Sequence, residues 1–279
     1  MNKVKIMTDS TADLSYSMIE QLGIERMPMH IILGDKSLPD DKNLKSGDLF
    51  KFADETGTLP KSAAVNEFQF AEVFKKWIDN GRDIFFTGIS SKLSATMQNA
   101  LVAAERFDKN RISIVDSLSL STGTGLLVLE ASDMARSGAS LSEIKSHIER
   151  MREKVQASFV VDTLKYLYMG GRCSRLQSIV GSRLKIKPML ELKNGEIVPG
   201  QKFRGSNYIE KYCETVMENA SGIDRKRIFV THCMAESALR VKEMLKTDYG
   251  FENVMLTDAS PTISTHCGPG TLGILFLYR

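Results

Sequence analysis

The sequence predicts an α/β protein of two lobes with mostly parallel sheets. Three observations carry that expectation. Apolar runs of strand length alternate with amphipathic segments of helix length along the chain, the pattern of parallel strands covered by helices on both faces. At 279 residues the chain has room for two cores of ordinary size. A second α/β series begins near Ala157, just past Glu153–Gln156, which divides the chain into residues 1–155 and 156–279.

In order, Val4–Thr8 reads as a first buried strand, followed by the polar turn Thr8–Leu14 and a short helix near Ser15–Leu22. Arg26–Leu33 is a second strand, closed by a hairpin turn at Gly34-Asp35. Ser46 is placed to cap a helix over Gly47–Glu55 and Asn66 one over Glu67–Asn80, with Leu59–Val65 as an extended loop between them. Ile84–Phe86 opens a strand that turns through Gly88 and a hydroxyl-rich loop into a helix reaching about Phe107, with Ser94 at the N-cap. Arg111–Asp116 is a strand and Leu118–Ser137 an apolar helix carrying glycines. Ser140 with Glu143 forms a capping box for a helix to about Lys154.

The second half repeats the theme. A strand at Ala157–Val161 leads to a helix capped by Asp162 and ended by Gly170-Gly171-Arg172. Strands at Lys185–Leu192 and Glu196–Phe203 flank Asn194-Gly195, the strongest short hairpin signal in the chain. A helix over Asn207–Asn219, a strand at Arg227–His232, a helix at Glu236–Lys246 and a strand at Asn253–Asp258 follow. Thr271–Tyr278 is a last apolar strand.

Composition excludes several classes. Hydrophobic residues at 42% and charged residues at 25% describe a globular chain. A net charge of +3 without a dense basic stripe gives no nucleic-acid partner. No apolar run approaches membrane-spanning length, and Asp9 interrupts the start before a signal-peptide core forms, so the cytoplasm is the expected compartment. Cys173, Cys213, Cys233 and Cys267 lack C-x-x-C spacing and read as reduced thiols. Gly268–Gly273 matches G-x-G-x-x-G but lacks the acidic residue that a dinucleotide site places further on, so no cofactor is expected. Thr-His-Cys occurs at Thr231–Cys233 and Thr265–Cys267. Adjacent residues on an extended chain face opposite ways, which disfavours a zinc site, and no metal is expected.

Candidate binding residues cluster around the strand–turn–helix unit from Ile84 to Ala100. A helix N-terminus with Ser90, Ser91, Ser94 and Thr96 suits a small anionic head group such as a carboxylate; the plain alternative is a well-capped helix. His266, before Gly268-Pro269-Gly270, reads as a donor to an anion or as a hydrogen-bonded structural imidazole. Arg172 reads as a helix-end cation or as an arginine offered to an acidic group. Gly88-Ile89-Ser90-Ser91-Lys92 misses the G-x-S-x-G elbow of serine hydrolases at Lys92.

Taken together, Ile6–Leu14, Pro60-Lys61-Ser62, Gly88–Ala100, Val115-Asp116-Ser117, Gly170-Gly171-Arg172, Ile186-Lys187-Pro188 and Thr265–Thr271 resemble the DegV family of bacterial fatty-acid-binding proteins, in order and spacing along nearly the whole chain. The resemblance implies two α/β lobes enclosing a long-chain fatty acid such as palmitate or oleate. It implies a carboxylate met by Ser62, Ser94 and His266, with Thr265, Arg172 and Arg204 near the head group or a partner surface. It also implies a carrier without turnover of its own, which presents the acid to a separate fatty acid kinase and touches membrane surfaces transiently. Two positions depart from the family pattern: Ser62 stands where Thr is usual, and Ala95 where Gly is usual. Both keep the donors. The competing readings are a lipid hydrolase using Ser94 or Ser90 with His266, and a DNA-associated regulator, which the weak charge disfavours.

Overall fold

Val4–Asp9 (β1) is the strand from which the first lobe grows. The computed structural model describes residues 3–172 and 186–279, so Cys173 and Lys185 lie outside the described residues. β1 pairs in parallel with Glu25–Met27 (β2) on one side and Asp83–Gly88 (β6) on the other, and β6 pairs in parallel with Ile112–Asp116 (β7). The order β2-β1-β6-β7 is all parallel, because helices carry the chain back each time. These helices are Tyr16–Leu22 (α1), Glu67–Asp79 (α3) and Thr96–Ala104 (α4). α3 starts at the Asn66–Gln69 capping box and packs Phe70 and Phe74 against β6, with Phe70 edge-on to Phe86 at 5.0 Å between ring centres.

The segment Arg26–Leu33 is not one strand. Pro28, which has no N–H for a ladder, separates β2 from His30–Leu33 (β3). β3 enters a small antiparallel sheet between Lys36–Pro39 (β4) and Lys61–Ala63 (β5), with Gly34-Asp35 as the β3–β4 turn. The loop at Leu59–Val65 therefore contains a strand. Ser46 does not cap Ser46–Thr56 (α2): it is the first helical residue, and Asp48 accepts from the Lys45 N–H instead.

Ser121–Arg136 (α5) lies between the lobes. Its Leu126–Leu129 run is buried against Phe85 and Val115 of the first sheet and Ala157, Phe229 and Leu275 of the second. A side chain at Gly125 would meet the Ala12 carbonyl at 2.6 Å, which explains glycine in an otherwise apolar helix. Leu141–Met151 (α6) follows from the Ser140–Glu143 capping box.

The change of sheet falls between Lys154 and Val155. The second sheet has the order β10-β9-β8-β13-β11-β12. Its strands are Val155–Val160 (β8), Ile186–Lys193 (β9), Glu196–Arg204 (β10), Ile223–Cys233 (β11), Val254–Asp258 (β12) and Thr271–Tyr278 (β13). The α/β class holds here, but parallel pairing is confined to β11–β12. The β9–β10 turn at Asn194-Gly195 has φ of 53° and 81°, the left-handed pair of a tight hairpin, and hairpins force antiparallel neighbours. β13 runs antiparallel to both β8 and β11 in the middle of the sheet.

Lys165–Met169 (α7) is not capped by Asp162, whose carboxylate pairs with Lys187. The Thr163 hydroxyl accepts from the Lys165 N–H instead. Tyr208–Met217 (α8) and Ala238–Thr247 (α9) cover the second sheet. Pro261–Cys267 (α10) is a helix in a stretch to which the sequence reading gives no element. Among the described residues no helix is long and apolar enough to cross a membrane.

Candidate functional site

Ser62 is the middle residue of β5, held in register opposite Ile31 of β3. The Asn99 amide of α4 donates to the Val65 carbonyl at 2.8 Å, tying the β5 segment to the helix that follows Ser94. His266 is in the last turn of α10. Its Nε2 lies 2.7 Å from the Ser62 hydroxyl, so residues 204 positions apart form one polar pair. Arg172, after α7, donates to the Leu93 carbonyl at 3.4 Å and to the Gly170 carbonyl.

These groups line a cavity of about 190 Å³ between the lobes. Ser62, Ser94, His266 and Arg172 line it together with Ile89, Leu93, Leu120, Leu167, Ile197 and Ile263. Leu120, Ile263 and Cys267 also wall a smaller space of about 20 Å³ that runs on toward Phe159 and Leu275 in the second lobe. The two spaces share an apolar wall, and the larger has Ser62, Ser94, His266 and Arg172 in its lining. A larger cleft of about 710 Å³ opens beside Lys42, Lys45, His232 and Asp258, but none of Ser62, Ser94 or His266 faces it. Convergence of polar groups with spare capacity on an apolar space, rather than volume, marks the smaller cavity as the site.

The backbone of the Ile89–Ser94 loop is already occupied. Asp9 accepts from the Ile89 N–H at 2.9 Å and Asp116 from the Ser91 N–H at 3.3 Å; the Ser90 hydroxyl accepts from the Lys92 N–H. The Leu93 and Ser94 N–H groups turn back to the Ser90 carbonyl. Ser94 is not the N-cap: the cap position is Ala95, and the Ser94 hydroxyl accepts from the Thr96 N–H at 3.3 Å and shares a hydrogen bond with the Thr96 hydroxyl.

Electrostatics leaves the imidazole in this lining uncharged beside the Arg172 cation. Burial, and then the nearby Arg172 guanidinium, push His266 down to about 4, so the imidazole is uncharged at neutral pH. Burial also lowers Arg172 from its ordinary value. His266 Nδ1 is buried without a hydrogen-bond partner, and a side chain at Gly170 would press on that atom. Burial raises the Cys233 thiol to about 11 and Cys267 further, so both behave as small apolar groups. Among the described residues no group of three or more His, Cys, Asp or Glu could hold a metal ion.

The other residues named from the sequence lie elsewhere. The Thr265 side chain is buried with its hydroxyl unpartnered, but it is not part of the cavity wall. Arg204 is exposed at the end of β10, opposite Ile186. Ser90 donates to the Gly195 carbonyl at 2.8 Å, so neither it nor Ser94 forms a pair with His266, and a hydrolase built on those two serines has no serine–histidine contact. Sequence reasoning did not single out Thr262, whose α10 position faces the cavity, nor Asp13 and Asp40, which hold that helix. No local signal separates such aspartates from ordinary turn residues.

A profile of the DegV family, described as uncharacterised proteins, matches residues 3–279. A DegV domain-containing protein of Caldanaerobacter subterraneus is 33% identical over 99% of both chains. A protein of Thermotoga maritima named fatty acid-binding protein is 32% identical over 97% of this chain and 96% of its own. Among solved structures, a DegV family protein from Thermus thermophilus, described for its fatty acid binding, superposes with a TM-score of 0.93 at 28% identity, covering 99% of this chain and 100% of that one. DegV of Bacillus subtilis, described as a fatty acid binding protein, gives 0.88 at 28% identity over all of both chains. The chain belongs to the DegV family.

Proposed function

We propose that the protein binds a long-chain fatty acid and carries it without turning it over. The carboxylate lies among Ser62, Ser94 and His266, with Arg172 beside them, and the tail follows the apolar wall into the second lobe. The observation that carries this reading is the Ser62–His266 pair in the lining of a largely apolar cavity. The descriptions of the Thermotoga, Thermus and Bacillus relatives support it.

The energetics divide cleanly. At ~0.8 kcal/mol per buried methylene, a 14-methylene tail gains roughly 11 kcal/mol in gross transfer, before ordering and association costs. A buried carboxylate without partners would cancel much of that, so the polar lining serves to offset desolvation rather than to supply affinity. An uncharged imidazole and two hydroxyls do so together with the Arg172 guanidinium beside them.

Such a carrier presents its carboxylate to a separate fatty acid kinase and exchanges cargo at membrane surfaces. Organic extraction of purified protein followed by mass spectrometry is expected to return a fatty acid, or the protein is expected to take one up when supplied. If extraction yields no fatty acid and the protein takes up none when supplied, the reading fails. Acyl-phosphate formation on adding a kinase subunit tests the partner, and its absence leaves a binding protein with a different recipient.

The Ser62–His266 contact also invites a hydrolase reading. It is the weaker one: an imidazole held near 4 is a poor general base, and its Nδ1 has no carboxylate to orient it. Labelling of Ser62 by a fluorophosphonate would reverse that judgement.

A further inference from the structure

The first turn of α10, opposite the end that carries His266, holds a second buried polar cluster, of which only Thr262 also lines the cavity. Asp13 is 5% exposed and Asp40 fully buried. Asp13 accepts from the Ser260 N–H at 2.9 Å through one oxygen and from the Ser121 hydroxyl at 2.6 Å through the other. One oxygen of Asp40 accepts from the Ser10 hydroxyl at 3.0 Å, the Thr262 N–H at 3.0 Å and the Thr262 hydroxyl at 2.5 Å. Its other oxygen pairs with Arg26 at 2.9 Å. Carboxylates from the first lobe thus take the N–H groups at the start of a helix that begins more than 200 residues later, where the helix dipole favours negative charge.

α10 is a wall of the site. Thr262, Ile263, His266 and Cys267 all face the cavity, and Thr262 and His266, four apart, lie on one face of the helix. A displacement of the first turn therefore reaches His266 one turn later. The cavity, at about 190 Å³, is also smaller than the roughly 300 Å³ at which ligand pockets usually begin. A long acyl chain requires a wall to yield. Ser62 and Ile197 belong to strands fixed in sheets, whereas α10 is a two-turn helix tied by these side-chain bonds and by the Ser46–Ser264 hydroxyl contact at 2.7 Å.

We infer that Asp13 and Asp40 are positioning residues for the site: they fix α10 so that His266 stays against Ser62, and the firmness of that hold sets how fast a ligand enters and leaves. The exchange half rests on the fatty-acid reading; the placement of His266 does not.

The test uses the full chain with isotope-labelled histidine, the His266 side-chain resonance being assigned with His266→Gln. Asp13→Asn and Asp40→Asn are compared with Ile144→Ala, a core change in α6 that lowers stability away from α10. Transfer of loaded palmitate to phosphatidylcholine vesicles is timed for each. The expected result is a shifted or broadened His266 resonance in both aspartate variants and transfer faster by roughly 10- to 100-fold, the equivalent of one lost charge-assisted hydrogen bond. Ile144→Ala should change neither. Thr262→Val, which removes one hydroxyl bond and leaves both carboxylates, gives the same comparison if an aspartate variant does not fold. A His266 resonance and transfer rate in the aspartate or Thr262 variants matching those of Ile144→Ala would overturn the inference. If the unaltered protein takes up no palmitate, the fatty-acid reading fails, and the resonance alone decides the positioning of His266.

Discussion

The two ends of α10 are both polar and both buried, yet they differ in one respect. At the first turn, Asp13, Asp40, Ser260 and Thr262 satisfy one another through hydrogen bonds of 2.5–3.0 Å. At the last turn, His266 Nδ1 and the Thr265 hydroxyl have no partner among the described residues, and Arg172 touches only carbonyls there. Saturated polar groups hold a fold in place, whereas buried groups with spare capacity cost free energy unless something else uses them. The contrast separates the part of α10 that fastens from the part that binds.

The largest test of the contrast is Asp40→Ala. It strands Arg26, whose side chain is 14% exposed, and should cost about 3–5 kcal/mol in urea unfolding, because one member of a buried pair is left uncompensated. A cost below about 1 kcal/mol would make the fastening end dispensable.

The ends should also respond to pH with opposite signs. His266 sits near 4 when folded and near 6.5 when exposed, so between those values the unfolded chain holds a proton that the folded one lacks. Its contribution therefore fades as pH falls from 6.5 toward 4, by roughly 1.4 kcal/mol per unit. Burial raises Asp13 from 3.8 to about 7, so there the folded chain holds the extra proton, and its contribution grows as pH falls through 7 toward 3.8. Unfolding free energies of His266→Gln and Asp13→Asn against pH, each subtracted from the unaltered protein, should slope in opposite directions. Slopes of the same sign would contradict the comparison.

A smaller effect is expected at the binding end. Ser62→Ala and Ser94→Ala should each weaken fatty acid retention by about 1–3 kcal/mol, the cost of leaving a buried acceptor short of a donor. Gly170→Ala has ordinary helical backbone angles, but its methyl group would displace the His266 ring, and a loss of about 1–3 kcal/mol in retention is expected from overpacking. Displacement of a fluorescent fatty acid measures all three. The smallest effect belongs to Arg204→Ala: on an exposed strand end it should leave stability within about 0.5 kcal/mol and retention unaltered.

Local features of the fold were legible in the residues. Asn66 and Ser140 cap the helices that follow them, and Asn194-Gly195 turns a hairpin as its composition requires. Pro28 splits an apolar stretch that otherwise scans as one strand, because strand periodicity does not register a missing donor. α10 was hidden by its β-branched Thr262, Ile263 and Thr265 and by the glycines after it, although Ser260-Pro261 is a proper helix start. The gathering of Ser62, Ser94, His266 and Arg172 came from resemblance alone. No period in the chain encodes a contact across 204 residues.

That long reach has a consequence for how the molecule is made. The first parallel sheet can assemble while translation is still under way, since its strands end by Asp116. The Ser62 pocket wall then waits for Cys267 to leave the ribosome, because no earlier segment supplies the helix that closes it. Contacts this distant are slow to form, so a half-made chain exposes an oily groove for seconds at ordinary synthesis rates of about 5–20 residues per second. Nascent chains stalled before residue 259 should therefore be the ones that chaperones hold longest.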